Sequence, residues 1–414
     1  MPVSIPKFKK STKEKLLKLI QQAKGINDVR TLIRQYTSPQ FRRQLVLHSP
    51  EFFLMYFLGF RLPAHQRRWI ALWNVKYLLE LAPRDHGKSW IFSYGQPLYR
   101  IYENLIQNRL ESIDYRFLQI SKTDEMAGKY SEQVRTTVEE NTYLKEDFGD
   151  IRDTSRWLKS FWSCRRKIHD SVEKDHTYEK VGVLGGITGG HFEEINLDDP
   201  LDDENTKTVE RMATIENWFW GTVWNLREPS TKFRVTGTRK NRRDLYNTLL
   251  ETRTWKHNVE KAIIKYPMIP DPKNSDKEID GWVYITDKGR YVRGLQDITS
   301  EEQIVDVELL TDDYEVLWPA TEKVDNWGNV KVDSETGKPE VFGWGIRELL
   351  MDRVTQGITS FSREKQNEIS EGEGAIFHRD WLYFFSDEQL YLHDDGYHYL
   401  LPEIEEEKKL QGVA

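Results

Sequence analysis

The segment Ala82-Pro83-Arg84-Asp85-His86-Gly87-Lys88-Ser89 has the residue types and spacing of a phosphate-binding loop. Backbone N–H groups turned toward an anion at a helix N-terminus, with a lysine and a hydroxyl beside them, can hold the phosphates of a nucleotide. Gly87 lets the backbone approach closely, Lys88 is placed to neutralise the β- and γ-phosphates, and Ser89 to bind Mg²⁺ through its hydroxyl. Ala82 stands where such loops usually have their first glycine, and it is small enough for the turn. Taken alone, Gly87-Lys88-Ser89 also fits a capped helix start with a surface lysine.

Nucleotide hydrolysis further needs a carboxylate at a neighbouring strand end to hold the metal, and a base to position the attacking water. Ile195-Asn196-Leu197-Asp198-Asp199-Pro200 offers both. Asp198 would reach the metal through its water shell, Asp199 would orient the water, and Pro200 takes the chain out of the strand. Asp202, Asp203 and Glu204 follow at once, so a solvated acidic turn is the alternative. A third loop, Gly237-Thr238-Arg239, follows another short apolar run and leads into Arg242, Arg243 and Asp244.

These loops need strands to present them. Tyr77 to Leu81 reads as a buried strand, followed by the loop and a helix from about Lys88 that Pro97 should end or kink. Tyr115 to Ile120, Glu194 to Leu197 and Phe233 to Thr236 are further strands. Met126 to Glu139 is a helix with Ala127, Tyr130, Val134 and Val138 on one face. Upstream, Ser11 and Glu14 form a capping box for a helix over Thr12 to Lys24, and Phe52 to Phe60 is an aromatic stretch. Strands alternating with helices predict an α/β domain with a mostly parallel sheet. Downstream, Asp271 to Asp313 reads as a polar insertion and Asp325 to Pro339 as a hairpin. One long helix is expected over Gly345 to Asn367, with Ile346, Leu350, Val354, Ile358 and Phe361 inward. The charge run Glu405 to Lys409 reads as a solvated linker.

In their order along the chain, the three loops resemble the ATPase region of the large terminase subunit, the DNA-packaging motor of tailed phages. The resemblance rests on Arg84 four residues before Lys88, on Asp198-Asp199-Pro200 and on Gly237-Thr238-Arg239. Gln66 looks like the family's adenine-reading glutamine. Ser121-Lys122-Thr123 resembles the segment after its second strand, and Leu317-Trp318-Pro319 with Phe361 to Gln366 its lid. The likeness spans about residues 50 to 385.

The resemblance implies a P-loop NTPase core of the RecA-like (ASCE) type, with a mostly parallel sheet, helices on both faces and a small lid subdomain. It divides the chain into a helical arm grouped with the lid (1–60), an ATPase core (61–268), an insertion and lid (269–385) and a linker (386–414). The family's C-terminal nuclease domain is expected to be absent from this chain, and no nuclease activity is expected. ATP and Mg²⁺ are the implied cofactors, with Gln66 and Pro83 to Ser89 lining the nucleotide and Ser89 and Asp198 on the metal. Lys88, Arg84 and Asp199 are the implied catalytic residues, Arg84 acting on the γ-phosphate. Thr238 and Arg239, with Gly237, would couple hydrolysis to DNA movement. Implied partners are double-stranded DNA, the portal protein, the small terminase subunit and further copies of the chain in a ring, in a host cytoplasm. A trans-acting arginine is expected in the region of Arg152, Arg156, Arg165 and Arg166. A helicase or other P-loop DNA translocase is the competing reading, although no second parallel-sheet pattern follows the third loop.

Composition agrees with this class without selecting it. The chain has 414 residues, a net charge of −7 and one cysteine, Cys164, so a surface uniformly coated for nucleic acid and an internal disulfide are both excluded. No apolar run is long enough to span a membrane, and the polar, basic N-terminus does not read as a signal peptide. Arg165-Arg166-Lys167 fits either a DNA-phosphate contact or a solvated basic face. His393-Asp394-Asp395 with His398 is read as a turn between short strands, because its spacing matches no structural zinc pattern.

Overall fold

The computed structural model describes residues 26–159, 161–165, 176–187, 190–292, 306–325, 329–334, 337, 339–369, 390–392 and 398–400. The helix expected over 12–24, the charge run 405–409, Arg166 and the His393 to Asp395 turn lie outside them. The chain divides into a large unit, Met1–Ile369, and a small one, Ser370–Ala414. Within the small unit, Leu390–Leu392 and His398–Leu400 pair as an antiparallel hairpin.

The large unit is built on one sheet. Its strands are β1 (Tyr77–Leu81), β2 (Phe117–Ser121), β3 (Arg152–Trp157), β4 (Trp162–Cys164), β5 (Tyr178–Gly182), β6 (Phe192–Asp198), β7 (Arg227–Gly237) and β8 (Lys256–Val259). Their order is β3-β4-β5-β2-β6-β7-β1-β8. The run from β5 to β8 is parallel, and β4 and β3 extend it antiparallel at one edge. β7 lies between β1 and β6, within a mostly parallel α/β sheet. The carboxyl ends are in register: Ser121 pairs with Gly182 and Asp198, Asp198 with Thr236, and Leu81 with Gly237 and Val259.

The two faces of the sheet differ in chemistry. Successive side chains on a strand point to opposite faces. Leu79, Leu81, Leu118, Ile120, Ile195, Leu197, Phe233 and Val235 therefore share one face and one hydrophobic core. The alternate positions Glu80, Gln119, Glu194, Asn196, Arg234 and Thr236 are polar, yet buried. The helix after the phosphate loop answers them with Ser93, Gln96 and Arg100, which lie on one of its faces. Asn196 donates to Ser93 Oγ at 3.0 Å and to Gln119 Oε1 at 2.8 Å. Glu194 accepts from Gln96 and from the Tyr115 hydroxyl, with Arg234 Nε at 3.2 Å and Arg100 Nε at 3.5 Å.

That helix departs from the sequence expectation. Pro97 does not end it: helix continues on both sides of the proline. A π-helical segment, Trp90–Gly95, precedes the α-helical part Gln96–Gln107, where Pro97 sits in the first turn. The wider π turn removes the clash that proline's ring would make with the carbonyl four residues back. Met126 to Glu139 falls within the helix Asp124–Glu140, capped by the Thr123 side chain. The short helices Pro39–His48 and Pro50–Tyr56 bury Val46, Phe53 and Leu54 in a second core, shared with Leu98, Ile101 and Tyr102.

A third, separate core joins Ala262, Ile263, Trp282, Tyr284, Val316, Ile346, Leu349, Leu350 and Phe361. The single helix expected over 345–367 is two, Ile346–Gln356 and Ile358–Gln366. Gly357, at φ +80°, turns the chain out of the first helix, and Ile358 is exposed while Ile346, Leu350 and Phe361 are buried. The polar insertion forms antiparallel strands, Met268–Asp271 with Asn274–Asp280, and Trp282–Thr286 between Gly289–Val292 and Asp306–Leu309. Isolated bridges Val324 to Val330 and Val332 to Pro339 mark the expected hairpin.

Glu194→Gln leaves Arg234 buried without its carboxylate, while Arg100 keeps only the Glu103 carboxylate. Breaking a buried ion pair in this way costs about 3–5 kcal/mol, so the variant should unfold at markedly lower urea concentration than the wild type, which a denaturation curve will measure.

Candidate functional site

The in-register carboxyl ends bring the three loops to one edge of the sheet. The phosphate-type loop leaves β1 at Ala82, whose N–H donates to Gly237 O at 3.1 Å. The loop then turns through two left-handed residues, Asp85 at φ +66° and Gly87 at φ +86°. A Cβ on Gly87 would lie 2.5 Å from Gln66 Nε2 and would displace that amide, and the positive φ strains any side chain here. Lys88 is 5% exposed and folds back over the loop, donating to Ala82 O at 2.9 Å and to Thr238 Oγ1 at 3.0 Å. The lysine thus links the first and third loops directly.

Asp198 ends β6 and is buried. The Thr236 hydroxyl donates to it at 2.7 Å, and the Ser89 and Ser93 hydroxyls lie close to it. Burial, and then the neighbouring Asp199, push the Asp198 carboxyl above the usual range, while those three hydroxyls oppose the shift. The Tyr130 hydroxyl, from the helix beside the site, lies close to Ser89 and Asp198, and burial raises its pKa. Asp199 has left-handed backbone, φ +43°, and its N–H donates to Thr236 O at 3.0 Å. That turn separates the two carboxylates: Asp198 points into the protein and Asp199 lines a cavity.

The cavity holds about 900 Å³ and is lined by Gln66, Arg84, Asp85, Gly87, Lys88, Ser89, Tyr130 and Asp199 among others. Beyond the loop it continues past Phe60, Arg61 and Trp90 to Trp318, Lys323 and Phe342. Of the sequence candidates, Gln66 donates to His86 O at 3.2 Å from its helix, Ala64–Ala71. Arg84 is exposed, 3.9 Å from Glu364. His86 is buried behind the loop, its Nδ1 3.0 Å from Arg84 O and its ring stacked on Trp344. Asp198 and Thr238 stand behind the lining residues, one against Ser89 and the other against Lys88.

Gly237 is packed so tightly that a Cβ would collide with the Tyr246 ring and hydroxyl. Arg239 leaves that glycine toward the third core: its N–H donates to Asn367 Oδ1 at 3.1 Å. Asp244 caps the helix Leu245–Glu251. Lys122 pairs with Asp202, and Asp203 with Arg363 at 3.1 Å, so the acidic residues after Pro200 are held by cations from two elements. Arg152 lies on the far edge strand β3, in ion pairs with Glu139 and Asp150. Cys164 is buried in β4.

Sequence reasoning missed the roles of Tyr130, Ser93, Thr236, Lys365 and Trp344. Tyr130 was visible only as one position of an apolar helical face. Ser93 carried a weak signal, its place one helical turn after Ser89. Nothing local in the sequence linked Lys365 or Trp344 to the loop.

No family model matches the chain, and no curated protein matches it. Among solved structures, the large terminase of bacteriophage HK97 aligns at 16% identity with a TM-score of 0.31, covering 49% of this chain and 40% of that one. An ATPase-domain mutant of the Thermus phage P74-26 large terminase aligns at 16% identity with a TM-score of 0.34, covering 52% of this chain and 86% of that one. The chain thus spans less than half the length of the HK97 protein it matches.

Burial takes the His86 imidazole from its ordinary 6.5 down to about 3. The unfolded chain therefore binds a proton that the folded one does not, and stability present above pH 6.5 is lost as pH falls toward 3. At pH 5 this amounts to about 2 kcal/mol. His86→Gln should show a smaller drop in urea midpoint between pH 7 and pH 5 than the wild type.

Proposed function

We propose that this chain hydrolyses Mg·ATP and is the motor portion of a viral large terminase, driving double-stranded DNA into a procapsid. One observation carries the ATPase reading: Lys88, Ser89, Asp198, Asp199 and Thr238, far apart in sequence, converge on one edge of a parallel sheet beside a nucleotide-sized cavity. The packaging reading adds the resemblance carried by Arg84, Asp198-Asp199-Pro200 and Gly237-Thr238-Arg239.

In this reading the phosphates lie along residues 83–89, at the start of the helix. Lys88 exchanges its carbonyl partners for phosphate oxygens, and Arg84, exposed at the cavity, reaches the γ-phosphate. Ser89 and Asp198 would hold Mg²⁺. When bound, the metal would supply positive charge that neutralises the charge developing on the phosphates. The hydroxyls near Asp198 favour its charged form and oppose the upward shift that burial imposes. Asp199, turned into the cavity by its left-handed backbone, accepts from the attacking water and orients it. Gln66 lies within reach of the base.

The output would pass through Gly237-Thr238-Arg239. Thr238 touches the lysine that binds phosphate, and Arg239 is tied to Asn367 beside the third core. We take residues 61–268 as the ATPase core and 269–385 as insertion and lid. Double-stranded DNA, the portal protein, the small terminase subunit and neighbouring copies in a ring are the proposed partners, and the host cytoplasm the proposed location.

Steady-state ATPase assays on the full chain test the chemistry. Lys88→Ala should abolish nucleotide binding, and Asp199→Asn should retain binding while turnover falls on the order of 10²-fold or more. Wild-type turnover that survives both changes refutes the assignment. Stimulation by duplex DNA separates a translocase from a simple nucleotidase.

A further inference from the structure

Lys365 is a lysine whose side chain is 2% exposed, and it belongs to the helix Ile358–Gln366. Burying an ammonium and ordering its long side chain are both unfavourable, so its partners must compensate. Two of those partners sit on the phosphate-type loop. Lys365 Nζ donates to Arg84 O at 3.3 Å and to Asp85 Oδ2 at 3.2 Å. It lies 3.8 Å from the centre of the Trp344 ring and 3.7 Å from Asp352 Oδ2.

Two further bonds join the same elements. Trp344 Nε1 donates to Asp85 O at 3.3 Å, and Arg84 N donates to Glu364 O at 2.9 Å. The Arg84 N–H and carbonyl, the Asp85 carbonyl and the Asp85 carboxylate are thus all held by residues 344–365. The helix is itself anchored: Ala262 N donates to Lys365 O at 2.7 Å, and Gln366 exchanges bonds with both Ile263 N and Ile263 O.

Asp85 is the residue that needs holding. At φ +66° it occupies the left-handed region, which is costly for a residue with a Cβ. The direction of the next peptide units, which carry the N–H groups of His86, Gly87 and Lys88, follows from that backbone conformation. Lys365 grips both the carbonyl before Asp85 and its side chain, and Trp344 the carbonyl after its Cα.

We propose that Lys365 is a positioning residue for nucleotide binding. From its lid helix it clamps Asp85 in the left-handed conformation and so orients the loop N–H groups toward the phosphates. This rests on the nucleotide-binding reading above. It also makes the order of the loop depend on how the lid is seated.

The test is titration of the full chain with Mg·ADP and steady-state kinetics with Mg·ATP, with melting temperatures measured in parallel. Lys365→Met should weaken Mg·ADP about tenfold, the cost of releasing one left-handed residue. It should raise KM while leaving kcat at saturating ATP nearly unchanged. Asp85→Ala, at a side chain that is 57% exposed and so tolerant of change, should lose a similar factor. The Asp85→Ala/Lys365→Met pair should be no worse than either single change. Asp85→Gly placed in the Lys365→Met background should restore most of the affinity, because glycine takes positive φ without penalty. Unchanged affinity in Lys365→Met overturns the proposal. So does a loss that Asp85→Gly does not rescue, since Lys365 would then act through lid packing or global stability. A wild-type chain that binds no Mg·ADP, or binds it equally well after Lys88→Ala, fells the nucleotide reading itself.

Discussion

Strand β7 separates β1 from β6, and the geometry of the site depends on that insertion. Neighbouring strands lie about 4.8 Å apart, so the loops after β1 and β6 begin roughly 10 Å from each other. Two side chains from the first loop reach into the gap. Lys88 reaches the third loop at Thr238, and Ser89 reaches the acidic strand at Asp198. With β1 directly beside β6, the lysine and the carboxylate would compete for the same space. With β7 between them, each meets its own partner and a cavity remains in front.

The polar face of the sheet is the second constraint. A row of buried polar groups runs from Arg100, Glu194 and Arg234 through Gln119 and Asn196 to Thr236 and Asp198. Such a row is tolerable only if its members are satisfied, and when satisfied it is rigid. The helix after the phosphate-type loop meets part of it with Ser93, Gln96 and Arg100, continuing a line that starts at Ser89, while Asn196 Oδ1, Gln96 Oε1, Arg100 Nε and Arg234 Nε keep no hydrogen-bond partner among the described residues. The loop is thereby fixed to the sheet in rotation as well as position. The π segment before Pro97 belongs to the same solution, because it allows the helix to pass a proline without losing that face.

The third core supplies the other side of the loop. Glu364, Lys365 and Trp344 hold Arg84 and Asp85, while Asn367 and Arg363 reach Arg239 and Asp203. One short segment therefore touches the first loop, the third loop and the turn after the acidic strand. Movement of that segment could not leave any of the three undisturbed.

Strands Tyr77–Leu81, Phe192–Asp198 and Phe233 onward were legible from the sequence because apolar runs ended in polar loops of recognisable chemistry, and those loops named Lys88, Ser89, Asp198 and Asp199. β5 and β8 were not, because Tyr-Glu-Lys-Val-Gly and Lys-His-Asn-Val carry no apolar run to mark them. The break at Gly357 was missed because apolar spacing continued across it, whereas the chain turns there on a single positive φ. The local sequence determined which residue types could do chemistry and at which strand ends they stand, since hydrophobic alternation and loop composition are near-neighbour properties. Only the tertiary structure decided that Asp198 faces hydroxyls and Asp199 the cavity, that Tyr130 joins them, and that a buried lysine some 280 positions away grips Asp85. Those pairings depend on register, on backbone sign and on packing between distant segments, none of which is encoded by a short window of residues.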